Sequence, residues 1–388
     1  MNVLKYALCA ALFAAPAHAD GSGVTDTEIY LGAVLPMSGP VSFPGLGGLA
    51  GSRLAIAEFN AAGGIHGRTV RLRVEDDGYV PSRSYQGLVK ILDEGVLALV
   101  GTSGAGGLAA MLPLIDEQQV PTLVSTSVSN AAVEPLRPYI YMLGADYEDL
   151  FFAQIQYIAE HDQPQGPWAI ISQDDDYGTH VVNGFTEAVE TLGLPSVPPL
   201  RFARGQRDFS AEVLRLRSQN IGALVIGGVI METPAVLREL ARLQMDIPTA
   251  HAHTAAIDMT LGLAAPFGLS YYAADYVVPI GSTAAEGFHE RARAHLSEED
   301  QRNLNRFSIT SYLGTRAVLV AAEACGRALT RECVAAELGR IDALDTGGLS
   351  APLDFTNDRH TAAREVQVVR VDPVANTVVP LTDFVSFD

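Results

Sequence analysis

Cationic side chains are scarce in this chain. Of its 388 residues only 26 are lysine or arginine, against 45 aspartate or glutamate, a formal net charge of −19. Lysine occurs only at Lys5 and Lys90, so nearly all the positive charge is arginine. This shortage excludes a nucleic-acid partner, because phosphate backbones are held by an excess of counterion-releasing cations. It also excludes a polybasic patch on a membrane surface. Cysteine is rare, with three residues and no CxxC spacing, so the common redox and metal arrangements of cysteine lack support. Beyond the first twenty residues no run approaches eighteen consecutive apolar residues, and low-complexity tracts are missing. What is there, 48% hydrophobic and 18% charged residues, is the composition of a globular chain with two or three core-bearing units, expected to be soluble.

The chain opens with one positive charge at Lys5, an apolar run from Tyr6 to Ala15, and Ala17-His18-Ala19 before Asp20. That is the pattern of a secretory leader cleaved after Ala19, placing the mature protein in the periplasm of a Gram-negative cell. Cys9 leaves with the leader. Cys325 and Cys333 remain, eight residues apart across an expected helix–turn–helix, and an exported pair so close is expected to form a disulfide.

From residue 28 onward, short apolar or β-branched runs alternate with amphipathic stretches. The pattern predicts strands over 28–36, 68–77, 97–101, 120–125, 168–173, 223–228 and 271–279. Helices are predicted over 48–64, 81–95, 107–119, 179–193 and 210–220. Such alternation makes right-handed βαβ units and doubly wound parallel sheets, an α/β fold. The pattern runs too long for one sheet and restarts near Leu143-Gly144-Ala145-Asp146 with an aromatic-rich helix, which marks entry into a second lobe.

Several segments carry candidate chemistry. Gly45-Leu46-Gly47-Gly48-Leu49-Ala50 fits a loose dinucleotide fingerprint but lacks the acidic residue expected about twenty positions on, so no cofactor is expected and the run reads as a flexible loop before a helix. Gly101-Thr102-Ser103-Gly104-Ala105 joins a strand to a helix like a nucleophile elbow. A hydrolase using Ser103 would then need His253 or His289, whose spacing lends no support, and a small-residue helix start suits anion binding equally well. Asp174-Asp175-Asp176 lacks calcium-loop spacing and reads as a solvated turn with a helix-capping aspartate. His251 and His253, at i and i+2, are expected on one side of an extended stretch, with no third ligand to complete a metal site. Residues 101–104, 125–129, 174–178 and 229–232 all fall at carboxyl ends of strands, where doubly wound sheets bind ligands.

These residues together resemble the type I periplasmic solute-binding proteins of branched-chain amino acid ABC transporters. The resemblance spans nearly the whole chain after the leader. It rests on LGAVLPMSGPVSFPG, AIAEFNAAGGIHGRTVRLRVEDDGYVP, ALVGTSGAGGLAAMLPLIDEQQVPTLVSTSVSN, the turn at Tyr177-Gly178, and Asp208-Phe209-Ser210. It implies two α/β lobes joined by three crossings, one over 24–144 and 277–355 and the other over 145–276 and 356–388, closing on a ligand. It implies a monomer that hands a small solute to an inner-membrane permease and catalyses nothing. By the same resemblance, Thr102, Ser103 and Gly104 hold a ligand carboxylate together with Val128 and Ser129, or Ser127 if the register slips. Tyr177 caps the ligand, and the loop around Phe43 forms another wall.

The departures bear on the ligand. The acid that pairs a ligand ammonium in the family is missing from Thr249–Thr254, where His253 stands instead. A second aromatic is replaced by the aliphatic Val229-Ile230-Met231, which suits an apolar ligand body, and Glu232 is the nearest acid. The expected function is capture of a carboxylate-bearing solute, either an amino acid or an aromatic or aliphatic carboxylate. The alternatives are the Ser103 hydrolase and a ligand-sensing regulatory receptor of the same fold.

Overall fold

Short apolar runs covered on both faces build the two sheets, as parallel strands between helices require. The computed structural model describes residues 23–386, and the expected leader over residues 1–19 lies outside them. The first half contains β1 (Glu28–Leu35), α1 (Ser42–Ala61), β2 (Thr69–Asp76), α2 (Pro81–Glu94), β3 (Ala98–Gly101), α3 (Ala105–Glu117), β4 (Thr122–Val124) and β5 (Ile140–Gly144). A second series follows: α4 (Tyr147–His161), β6 (Trp168–Gln173), α5 (Asp176–Thr191), β7 (Leu200–Phe202), α6 (Ser210–Ser218), β8 (Ala223–Gly227), α7 (Glu232–Arg242), β9 (Thr249–His251), α8 (Asp258–Ala264) and β10 (Tyr271–Asp275). The chain then adds α9 (Glu286–His295), α10 (Glu298–Arg302), α11 (Arg306–Ala324), α12 (Arg331–Leu338), β11 (Thr361–Ala363), β12 (Gln367–Asp372) and β13 (Thr377–Pro380).

One sheet runs β11-β5-β4-β3-β1-β2 with every pairing parallel. The other runs β13-β12-β10-β9-β8-β6-β7, parallel except for the antiparallel hairpin β12–β13 on β10. The expected α/β fold with two mostly parallel sheets is present. One lobe boundary moves: β11, assigned from sequence to the second lobe, belongs to the first. Its backbone pairs with β5 at Thr361↔Met142 and Ala363↔Gly144, so the third crossing falls after Ala363 rather than near residue 356. The three crossings lie side by side. Ala145 donates its amide to the Ala363 carbonyl at 2.7 Å, and a Cβ on Gly144 would stand 2.3 Å from the Tyr276 ring.

Local signals account for the helices that frame the cleft. In α2, Pro81 opens the first turn, and Ser84, Gly87, Leu88 and Ile91 form the buried stripe at helical spacing. Asp146 caps α4 through the Asp149 amide, and Asp175 caps α5 through the Gly178 amide. The capping role read for the three-aspartate turn is therefore carried by Asp175. The glycine run at 45–51 corrects an expectation, for it is no loop. It lies inside α1, which begins at Ser42, and its missing side chains let α1 lie against α11. A Cβ on Gly51 would stand 2.0 Å from the Ser308 carbonyl oxygen, and one on Gly47 would stand 2.2 Å from the Asn305 amide. Cys325, which ends α11, is disulfide-bonded to Cys333 in α12, with the two Cα atoms 5.9 Å apart.

Candidate functional site

The loops after β1, β2, β3 and β4 of the first lobe meet those after β6, β7, β8 and β9 of the second across one cleft. Its outer part is a chamber of about 410 Å³ between Val41, Tyr79 and Val80 on one side and Arg204, Val229 and Ile230 on the other. Behind it lie two small pockets, of about 30 and 40 Å³, that share Tyr79, Tyr147, Val229, His253 and Thr254. Tyr79 and Val229 line all three spaces, so they form the partition between outer chamber and inner pockets.

The inner end is aromatic in its walls. The Tyr147 and Tyr177 rings meet edge to face at 5.0 Å, the His253 ring stacks on Tyr147 at 6.0 Å, and Phe307 stands 5.8 Å from His253. The Tyr177 hydroxyl donates to the Gly228 carbonyl at 3.2 Å, so that ring is fixed on the second lobe. Burial pushes the Tyr79 phenol up to about 12 and raises Tyr177 well above its ordinary value, so both stay neutral. Burial, with the nearby Arg306 charge, lowers the His253 pKa well below the usual histidine value, so His253 is a neutral imidazole.

Several buried polar atoms without a partner belong to residues that line these pockets or stand within two positions of one that does. They are Thr102 Oγ1, Thr126 Oγ1, Ser127 Oγ, His253 Nδ1, Thr254 Oγ1 and Arg306 Nη1. An orphaned buried hydroxyl costs about 1–3 kcal/mol, so several in one place mark a surface built for another molecule's polar group. Arg306 opens α11 and is itself only 3% exposed. Its Nε and Nη2 donate to the two Asp275 carboxylate oxygens at 2.6 Å each, and its guanidinium lies 4.8 Å over the Phe307 ring.

The residues expected at the site divide into three groups. Gly104, Tyr177, Ile230, Glu232 and His253 line the cleft, and Thr102 and Ser103 are buried in the turn beside Gly104. Of the candidate partners of Ser103, His289 is engaged elsewhere, its Nε2 2.8 Å from the Ile280 carbonyl, and the His253 ring stacks on Tyr147. Val128 and Ser129 are turned away from the cavities. The Val128 carbonyl accepts from the Tyr147 amide at 3.1 Å, and the Ser129 hydroxyl lies 2.7 Å from His180 Nε2, whose Nδ1 lies 2.7 Å from Glu148. Ser127, the residue of the slipped register, has an unpartnered buried hydroxyl, and so does Thr126 beside it. Phe43 does not line the cleft, and Val41 and Pro44 form that wall, because α1 starts earlier than expected and turns Phe43 aside.

Glu232 is no free acid. Its Oε2 accepts from the Val229 and Ile230 amides at 3.1 and 3.3 Å, which fixes the turn into α7. The two histidines also separate. His251 is fully buried on β9, 2.9 Å from the Thr249 hydroxyl, whereas His253 follows a turn into the cleft, because the strand ends between them. Sequence reading missed Tyr79, Tyr147, Thr126, Thr254, Arg204 and Arg306. Only Tyr147, beginning the helix after the first crossing, and Arg306, the charge that opens the largely buried α11, carried a signal that could have been used.

Two lobes with strand ends converging on an interlobe pocket define a type I two-lobed binding protein. The family model described as periplasmic binding protein matches residues 28–377, and the chain belongs to that family. It is similar to the Leu/Ile/Val-binding protein BraC3 of Rhizobium johnstonii, with 26% identity over 62% of this chain and 63% of the relative. It is also 26% identical to the Leu/Ile/Val-binding protein of Escherichia coli K12, over 55% of this chain and 58% of that one. The matches thus span about three-fifths of these relatives' length. Among solved structures, a branched-chain amino acid ABC transporter protein of Thermus thermophilus with bound valine superposes with TM-score 0.83 at 19% identity, covering 94% of this chain and 97% of that one. A fatty acid ABC transporter substrate-binding protein of Thermomonospora curvata gives 0.81 at 22% identity, covering 93% of each chain.

Proposed function

We propose that this protein is the solute-capturing component of an ABC transporter, acting in the periplasm, and that it closes its lobes on a small carboxylate-bearing molecule and delivers it to an inner-membrane permease. The observation that carries this reading is the group of unpartnered buried polar atoms at the interlobe pocket, from Thr102, Thr126 and Ser127 on one lobe and His253 and Thr254 on the other. A carboxylate placed among them accepts hydrogen bonds from both lobes at once, so binding and closure are one event. Gly104 leaves room for the Tyr79 ring, which a Cβ would meet at 2.5 Å, and Tyr177 covers the ligand from the second lobe. The family and the Leu/Ile/Val-binding relatives support the transport role. Nucleophilic chemistry at Ser103 finds no support in the positions of His253 and His289.

Calorimetric and thermal-shift titration of the purified protein with amino acids and with aromatic and aliphatic carboxylates tests the reading. Saturable binding of one ligand per chain with a rise in melting temperature, and recovery of the ligand unchanged, is the expected result. Chemical conversion of a bound ester or amide would overturn it.

A further inference from the structure

The inner pockets and the outer chamber differ in chemistry, and the difference bears on which carboxylate the cleft holds. Among the described residues, none that lines the inner pockets is a carboxylate. The acids nearest to them are already engaged: Asp275 accepts two bonds from Arg306, Glu232 accepts the Val229 and Ile230 amides, and Asp175 pairs with Arg204 at 2.6 Å. The unpartnered groups that remain are hydroxyls, a neutral imidazole nitrogen and one guanidinium nitrogen of Arg306. Around an ammonium this set offers dipoles and a like charge, and around a carboxylate it offers donors. The outer chamber is apolar where Val41, Val80, Val229 and Ile230 meet, and only the Tyr79–Val229 partition separates it from the polar end.

We infer that the solute is a monocarboxylate with an apolar body and no α-ammonium group, its carboxylate at the inner end beside Arg306 and its body reaching past Tyr79 into the outer chamber. This rests on the carboxylate-capture reading above and narrows it. Arg306 is the residue that sets the preference for the anion, and Asp275 holds it in place. The two hydrogen bonds that Arg306 donates to Asp275 fix the plane of the guanidinium and leave Nη1 unpartnered, next in sequence to the Phe307 that lines the inner end. The Leu/Ile/Val-binding relatives are named for ligands that carry the ammonium this site leaves without a counter-charge.

The test compares ligands that differ only in the amino group: 4-methylpentanoate with leucine, and 3-phenylpropanoate with phenylalanine, with the primary amide 4-methylpentanamide as the uncharged control. By calorimetry on the wild-type chain, each acid is expected to bind on the order of a hundredfold more tightly than its amino acid, the factor that an unpaired buried ammonium commands. An amino acid that binds as tightly as its partner acid overturns the inference while leaving carboxylate capture standing. If neither acids nor amino acids bind, carboxylate capture itself fails. For Arg306, the wild type should prefer 4-methylpentanoate to its amide by at least about tenfold, as a charge-assisted contact implies. Equal affinities overturn its role without any variant. Arg306→Gln alone leaves Asp275 buried and unpaired, so the variant is Asp275→Asn with Arg306→Gln, which should unfold cooperatively and lose the preference for acid over amide. Retention of that preference in the double variant also overturns the role of Arg306.

Discussion

Arg204 of the second lobe reaches across the cleft to Tyr79 of the first. Its guanidinium lies 4.6 Å over the Tyr79 ring and its Nη1 donates to the Tyr79 carbonyl at 3.2 Å, while Nη2 is held by Asp175 at 2.6 Å. Tyr79 also sits at φ 65°, a left-handed conformation that a non-glycine residue adopts only where its surroundings hold it. The pair is therefore a clasp between the two lobes across the cleft. A cation–π contact of this kind contributes about 0.5–2 kcal/mol. Arg204→Ala is expected to raise the ligand dissociation rate about three- to thirtyfold with little change in association, which stopped-flow measurement checks. An unchanged dissociation rate would remove the clasp from the mechanism.

The crossings between lobes leave no room at Gly144. A Cβ there would meet Tyr276, whose hydroxyl donates to the Ser125 carbonyl at 3.4 Å, so the ring cannot move aside without breaking a buried contact. Gly144→Ala is expected to lower stability by about 1–3 kcal/mol through overpacking. Urea denaturation measures this, and a variant as stable as wild type would mean that the crossings relax freely.

The fold was largely legible because its strands are buried on both faces and read as unbroken apolar runs: 28–36, 168–173 and 223–228 became β1, β6 and β8 within a residue or two. Some of the strands missed, though not β5 or β12, were short or at edges. β7 is three residues with one exposed and one half-buried, and β11 is three residues whose partner lies far back in the chain. Such strands are specified by tertiary pairing, and periodicity does not reveal them. The glycine run misled for a related reason: glycine reads as loop in sequence, yet between α1 and α11 it is the residue that lets two helices touch. At the site, some residues on strand-to-helix turns, such as Gly104 and Tyr177, were found, because topology alone places them in the cleft. Arg306 and Tyr79 were not, since their place there depends on the return of the chain to the first lobe and on one left-handed residue.

Thr126 and Ser127 separate binding from stability. Their hydroxyls are buried without partners, so each costs the free protein desolvation that a ligand would offset. Thr126→Val is expected to leave the ligand-free protein as stable as before or up to about 1 kcal/mol more so, while weakening carboxylate binding by about 1–2 kcal/mol. Ser129→Ala should do the reverse, since its hydroxyl contacts His180. Melting curves and titrations on both variants check the pair, and a Thr126→Val protein that binds as wild type would place the ligand elsewhere.

The Cys325–Cys333 disulfide closes a loop with a sequence separation of 8 at the end of α11, remote from the cleft residues. Chain-entropy arguments assign such a loop about 2–3 kcal/mol. Replacing both cysteines with serine should cost that much in chemical denaturation and leave ligand affinity unchanged. Weakened affinity would show that the end of α11 communicates with Arg306 at its start.

Stability should fall as pH rises from the ordinary aspartate range to about 7 through Asp146, and further through His180 above the ordinary histidine range. Asp146, which caps α4 at the first crossing, has its pKa raised to about 7, first by burial and then by the neighbouring Asp149 charge. For His180, burial alone would lower the pKa, but the hydrogen-bonded Glu148 carboxylate outweighs it, aided by Asp146 and Asp176, and the net shift is upward. In both groups the folded pKa lies above the unfolded one, so the stabilisation is complete below the ordinary value and is lost as pH climbs through the folded value. The window opens near the ordinary aspartate range for Asp146 and near the ordinary histidine range for His180. Asp146→Asn keeps a good helix cap and removes the titration, so its stability should be flatter across the acid part of the window, by on the order of 2–4 kcal/mol. His180→Gln should flatten only the upper part. Urea denaturation at stepped pH resolves the two contributions, and a wild-type stability that rises across the same interval would contradict both.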